Sequence, residues 1–123
     1  MRTATLTVDG RDYLLCFSAR VMRACSERYG GVENIDAALG AENTGKALDE
    51  AVWLLSKMMD AGARYAKING QEAEALSYDD LYDVLSIDDL TSIKGKIVET
   101  ITNGRATTVE AEPPKNAGTT PGK

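Results

Sequence analysis

Between Asn43 and Asn69 the chain carries a single long run whose apolar residues recur at helical spacing and at no other. Projected at about 100° per residue, Leu48, Ala51, Val52, Leu55, Met58, Met59, Gly62, Tyr65 and Ala66 fall on one broad stripe. Asp49, Glu50, Lys57, Asp60, Arg64 and Lys67 fall opposite. Alternation at period two fails throughout, so a strand is excluded. No other segment is both long and apolar enough to serve as the spine of a core. Ala51 and Gly62 are small residues inside the stripe, which predicts that a neighbouring element comes close there. Trp53, the only tryptophan, breaks the pattern. It projects into the polar face among Asp49, Glu50, Lys57 and Asp60.

The segments before this helix fit around it. Thr3 to Phe17 reads as a β-hairpin turning at Asp9-Gly10, a pair suited to the positive φ angles of a type I′ turn. That turn sets Val8 opposite Arg11, Leu6 opposite Tyr13 and Ala4 opposite Leu15. Tyr13, Leu15 and Phe17 then share a face with Ala4, Leu6 and Val8. Two strands alone are marginal in water, so this face is expected to lie on a helix. Ser18 is the expected N-cap of a helix from Ala19 to Tyr29, with Val21, Met22, Cys25 and Tyr29 inward and Gly30-Gly31 as its stop. Val32 to Leu39 reads as a short helix closed by Gly40.

After Gly70 the pattern changes. Ser77 opens a capping sequence, Ser-Tyr-Asp-Asp, for a short helix with Tyr78, Leu81, Tyr82 and Leu85 inward. Ser86 to Asp89 repeats that logic ahead of a final helix to about Asn103, whose stripe is Leu90, Ile93, Ile97 and Ile101. The fold class is therefore mainly α with an N-terminal β-hairpin, a small α+β domain with about five helices packed around one long central helix. The domain spans 1–104. Residues 105–123 hold all three prolines and too little apolar surface to offset chain entropy, and read as a disordered polar tail.

Composition narrows the function classes. The net charge is -5 with 14 basic residues, which argues against a nucleic-acid surface, and the Arg20, Arg23, Arg28 group is too sparse to reverse that. No run approaches the roughly 20 apolar residues of a membrane span, and the N-terminus lacks the apolar core of a signal peptide; a cytoplasmic protein is expected. Histidine is absent, which removes the commonest general base and metal ligand. Cys16 and Cys25 match no zinc or redox spacing. Cys25 reads as a small buried hydrophobe, whereas Cys16 is open between core and the hairpin's outer face. The segment from Gly40 to Ala47 fits GxxxxGK but places Ala47 where a phosphate-binding loop needs a hydroxyl, and it follows a helix rather than a strand. It reads as a helix stop and a new start. No cofactor, metal or catalytic residue is expected.

Two features remain for function. Trp53 is either ordinary core beneath a covering element or an anchor in a protein interface, with Asp49 and Lys57 as its charged rim. Asp79, Asp80 and Asp83 belong to a stretch between Ile68 and Ile93 that holds seven carboxylates and no Lys or Arg. They are either caps on a solvated face or an acidic patch that steers a basic partner.

The order of elements, with GRDYLLCFS ending the hairpin, SERYGG ending the first helix, MDAGARYAK late in the long helix and then LSYDDLYDVLS, resembles the small tail assembly chaperones of long-tailed phages and prophages of Gram-positive bacteria. The resemblance covers roughly Thr3 to Gly104. It implies a non-enzymatic protein that binds the tape measure protein in the host cytoplasm, helps gather tail tube subunits, self-associates, and is missing from the finished virion. It supplies no binding residue. A head–tail connector, or a small acidic interaction module of another kind, is the competing reading.

Overall fold

The computed structural model describes residues 2–106. Strands β1 (Thr3–Val8) and β2 (Arg11–Cys16) form an antiparallel hairpin, followed by α1 (Ala19–Tyr29), a 3-10 turn at Val32–Asn34, and α2 (Ile35–Leu39). The long helix α3 (Thr44–Ile68) comes next, then α4 (Tyr78–Val84), a second 3-10 turn at Ile87–Asp89, and α5 (Leu90–Gly104). This is the mainly helical α+β fold expected from the sequence. The tail expected over 105–123 lies outside the described residues from 107 onward.

The hairpin register is the expected one: Ala4 pairs with Leu15, Leu6 with Tyr13 and Val8 with Arg11. Asp9 and Gly10 have φ of 52° and 82°, so both central turn positions are left-handed, as a type I′ turn requires. The face bearing Ala4, Leu6, Val8, Tyr13, Leu15 and Phe17 is buried. Helix α3 packs on β2 and α5 packs on β1. The amide of Asn103 donates to the Thr3 carbonyl at 2.9 Å, which fixes the end of α5 to the strand. Cys16 lies on the other side of the pleat and is nevertheless fully buried.

Helix α3 owes its ends to two asparagines. The Asn43 side chain accepts from the Lys46 amide at 3.1 Å, and Asn69 closes the last turn. Gly40 ends α2, so the glycine–lysine segment joins two helices and Lys46 sits in the first turn of α3. Val52, Leu55, Met58 and Met59 are fully buried, as the stripe predicts. The Met59 sulfur also accepts the Leu76 amide at 3.1 Å, anchoring the connector to α4. Gly62 lets β2 approach: a Cβ there would run into the Leu14 carbonyl.

Four details differ from the projection. Leu54 is fully buried, although it lies off the predicted stripe. The reason is that β2, α1, α2, α4 and α5 all touch α3, so more than one face of it is covered. Conversely Met22, Tyr65 and Tyr82, expected inward, are 45%, 36% and 37% exposed. Met22 lines a surface groove with Ile35 and Val98, Tyr65 lines another at the end of α3, and Tyr82 turns its hydroxyl to Asp49.

Candidate partner-binding site

Trp53 is neither stranded in solvent nor deep core. It is half-buried and packs against the edge of the core. Its cover comes from the end of α1. The Tyr29 ring meets it edge-on, with centroids 5.8 Å apart and planes at 90°. The Arg28 guanidinium lies 4.3 Å from the indole centroid, and the Lys57 ammonium, one turn further along α3, lies 5.7 Å from it. Two cations over one electron-rich ring give an attraction of about 0.5–1 kcal/mol each at such accessible sites.

Two carboxylates on the preceding turn hold this arrangement. Glu50 accepts from Arg28 Nε and from the Tyr29 hydroxyl, both at 2.8 Å. Its side chain is 14% exposed, so these charge-assisted bonds work in reduced solvent. Asp49 faces the other way, toward α4. It accepts from the hydroxyls of Tyr78 and of Tyr82, the latter at 2.9 Å, and has Arg28 at 3.8 Å. The hydrogen bond from Tyr78, then that from Tyr82 and the nearby Arg28, hold the Asp49 carboxyl below its ordinary value against the opposing effect of burial. Tyr29 and Tyr82 are both pushed up, first by burial and then by donating to a carboxylate, so each phenol keeps its proton.

The structure thus brings Asp49, Trp53 and Lys57 together on successive turns of α3. Asp79, Asp80 and Asp83 are exposed on α4, the helix whose tyrosines grip Asp49. They are not equivalent. Asp80 belongs to a capping box, in which Ser77 accepts the Asp80 amide at 3.1 Å and the Asp80 carboxylate accepts the Ser77 amide. Asp79 and Asp83 have no such duty among the described contacts. Helix α4 also exposes Tyr82 and Val84, and the following turn exposes Ile87 at 57%.

Arg28, Tyr29, Glu50, Tyr78 and Tyr82 are the partners that sequence reasoning did not assign. One signal existed: Tyr78 and Tyr82 are four apart and so share a helical face, ready to donate to one acceptor. The arrangement has satisfied carboxylates, protonated phenols and a cation-flanked indole. Among the described residues, no group of three or more His, Cys, Asp or Glu side chains is placed to hold a metal ion, and no helix is long and apolar enough to cross a membrane. What such a surface offers a neighbour is aromatic area with a charged rim. No family model, no curated protein and no solved structure matches the chain.

Proposed function

We propose that the chain is a non-enzymatic assembly chaperone of the phage-tail kind its sequence resembles. It binds the tape measure protein in the host cytoplasm and helps tail tube subunits gather around it. It self-associates and leaves before the particle is complete. The observation that carries this reading is the half-buried Trp53 held between Arg28 and Lys57, beside the exposed acidic helix α4. Tryptophan, tyrosine and arginine are the residue types that most often dominate interface energetics, and here all three meet on one surface. The absence of histidine from the chain supports a binding rather than a catalytic role.

The test is co-purification with a tape measure protein, paired with the protein content of finished particles. The chaperone reading expects a soluble complex before assembly and none of this chain in the particle. Stoichiometric presence in purified particles would instead make it a connector.

A further inference from the structure

A second surface lies at the other end of α3. Arg2, Arg20, Arg64 and Lys67 line a groove of about 620 Å³ between the start of α1, the end of β2 and the last turns of α3, with Tyr65 and Ile68 in its apolar lining. That is four of the chain's 14 basic residues in one place, in a protein of net charge -5, and no Asp or Glu lines it. Arg2 also holds the Gly104 and Ala106 carbonyls, and Arg64 pairs with Asp60 at 2.8 Å. Arg20 and Lys67 make no ion pair among the described residues. Ile68 is 82% exposed, the most exposed large apolar side chain among the described residues.

The complement of this groove is on the same molecule. Helix α4 and the turn after it present Asp79, Asp83 and Asp88 around exposed Tyr82, Val84 and Ile87. Asp49, which the α4 tyrosines grip, is sixteen residues from Tyr65 along α3, about 24 Å of helix rise. The groove thus lies at the C-terminal end of α3, while the α4 tyrosines reach back to Asp49 near its N-terminal end. Each of the two surfaces combines exposed apolar side chains with charge of one sign.

We infer that the groove at the end of α3 receives the acidic α4 surface of a second copy of this chain, giving a head-to-tail association. Such a contact uses two different patches, so each bound copy leaves one patch of each kind free, and the chain extends into a ring or an open helical array. This deepens the self-association in the proposed function and rests on that reading only for the chain being a protein-binding module. It does not depend on what client is bound. An acidic segment of another protein is the rival occupant, and a nucleic acid strand is the occupant that the apolar lining opposes.

The experiment is sedimentation equilibrium of the full chain across a concentration series at low and high salt, with two charge-reversed variants. Arg20→Glu with Lys67→Glu reverses the groove, and Asp79→Lys with Asp83→Lys reverses α4. All four side chains are exposed, and circular dichroism checks that each variant is folded. The wild-type chain is expected to gain mass with concentration and lose it with salt. Each variant alone is expected to associate more than about tenfold more weakly, because its two patches now repel. An equimolar mixture of the two is expected to recover the wild-type mass, since every contact in an alternating chain is again between opposite charges. Should either reversal prevent folding, Arg20→Gln with Lys67→Gln and Asp79→Asn with Asp83→Asn are expected to weaken association in the same order. A wild-type chain that stays monomeric throughout would overturn the inference. So would association that neither variant changes, variants that fail to complement on mixing, or a groove that binds an oligonucleotide while the groove variant still self-associates. Client binding is measured separately with Trp53→Phe, which leaves both charged patches unchanged, so failure of the head-to-tail contact and failure of the chaperone reading are distinguishable.

Discussion

The Arg28 guanidinium sits 4.3 Å from the centre of the Trp53 ring while its Nε donates to Glu50 at 2.8 Å. One side chain at the end of α1 thus covers the only tryptophan and is itself tied to α3 one turn before it. This contact joins the two possible roles of Trp53. Enough of the ring is covered to stabilise the fold, and enough is left for a partner to touch.

The first prediction separates those roles. Trp53→Ala removes the edge contact with Tyr29 and part of the core margin, and is expected to cost about 2–3 kcal/mol. For a domain of this size that lowers Tm by about 10–20 °C. Trp53→Phe keeps an aromatic ring against Tyr29 and is expected to retain most of that stability. If Trp53 also serves as an anchor, the Phe variant still binds client more weakly than wild type. A Phe variant with full binding would confine Trp53 to a structural role.

The second prediction concerns acid. The Asp49 carboxyl is held below its ordinary value by hydrogen bonds from Tyr78 and Tyr82. A lowered folded-state value means the contribution is present above the unfolded value, near pH 4, and is lost as pH falls through the folded one. Asp49→Asn is therefore expected to be less stable than wild type at pH 6, with the difference shrinking as the pH falls toward 2. Thermal melts of both chains across that range measure it. A difference that stays constant with pH would show that the tyrosine bonds do not act through the charge.

The hairpin register and the long helix are legible in the sequence because local rules agree there. Asp9-Gly10 sets the turn, period-two alternation sets the face, and Asn43 and Asn69 bracket one uninterrupted helical stripe. Leu54 and Trp53 are not legible, for a shared reason. A helical projection treats a helix as having one wet side, and α3 is touched by β2 and by every other helix. Leu54 is closed over completely, whereas Trp53 is only half-covered, by side chains that include Arg28, Tyr29 and Lys57. The capping role of Asp80 is readable from Ser-Tyr-Asp-Asp. Its difference from Asp79 and Asp83 becomes apparent only once α4 is placed.

The third prediction tests the close approach of β2 to α3. Alanine is a better helix former than glycine by about 1 kcal/mol, which would favour Gly62→Ala on an isolated helix. Here the added methyl meets the Leu14 carbonyl, which belongs to backbone and cannot rotate away. Overpacking of this sort costs about 1–3 kcal/mol or more, so the steric cost is expected to win. A lower Tm for Gly62→Ala is the expected result, and a higher one would mean that the strand yields.

The fourth prediction concerns the thiols. Both cysteines are fully buried, and burial pushes Cys25 up to about 11. Burial also raises Cys16, with Arg2 opposing it. The thiolate is the reactive form, so both are expected to be inert to a thiol reagent in the native chain and to react together on unfolding. Rapid native labelling of Cys16 alone would show that the hairpin edge opens.

The central claim is that the Trp53 and α4 surfaces hold an aggregation-prone helical protein in solution. The most direct measurement is the soluble fraction of a tape measure protein co-expressed with the wild-type chain, with the folded Trp53→Phe and Asp79→Lys, Asp83→Lys variants, and with no chain. The account predicts soluble client with wild type, clearly less with either variant, and pelleted client without the chain. A client that pellets equally in all four, or that stays soluble without this chain, would contradict it.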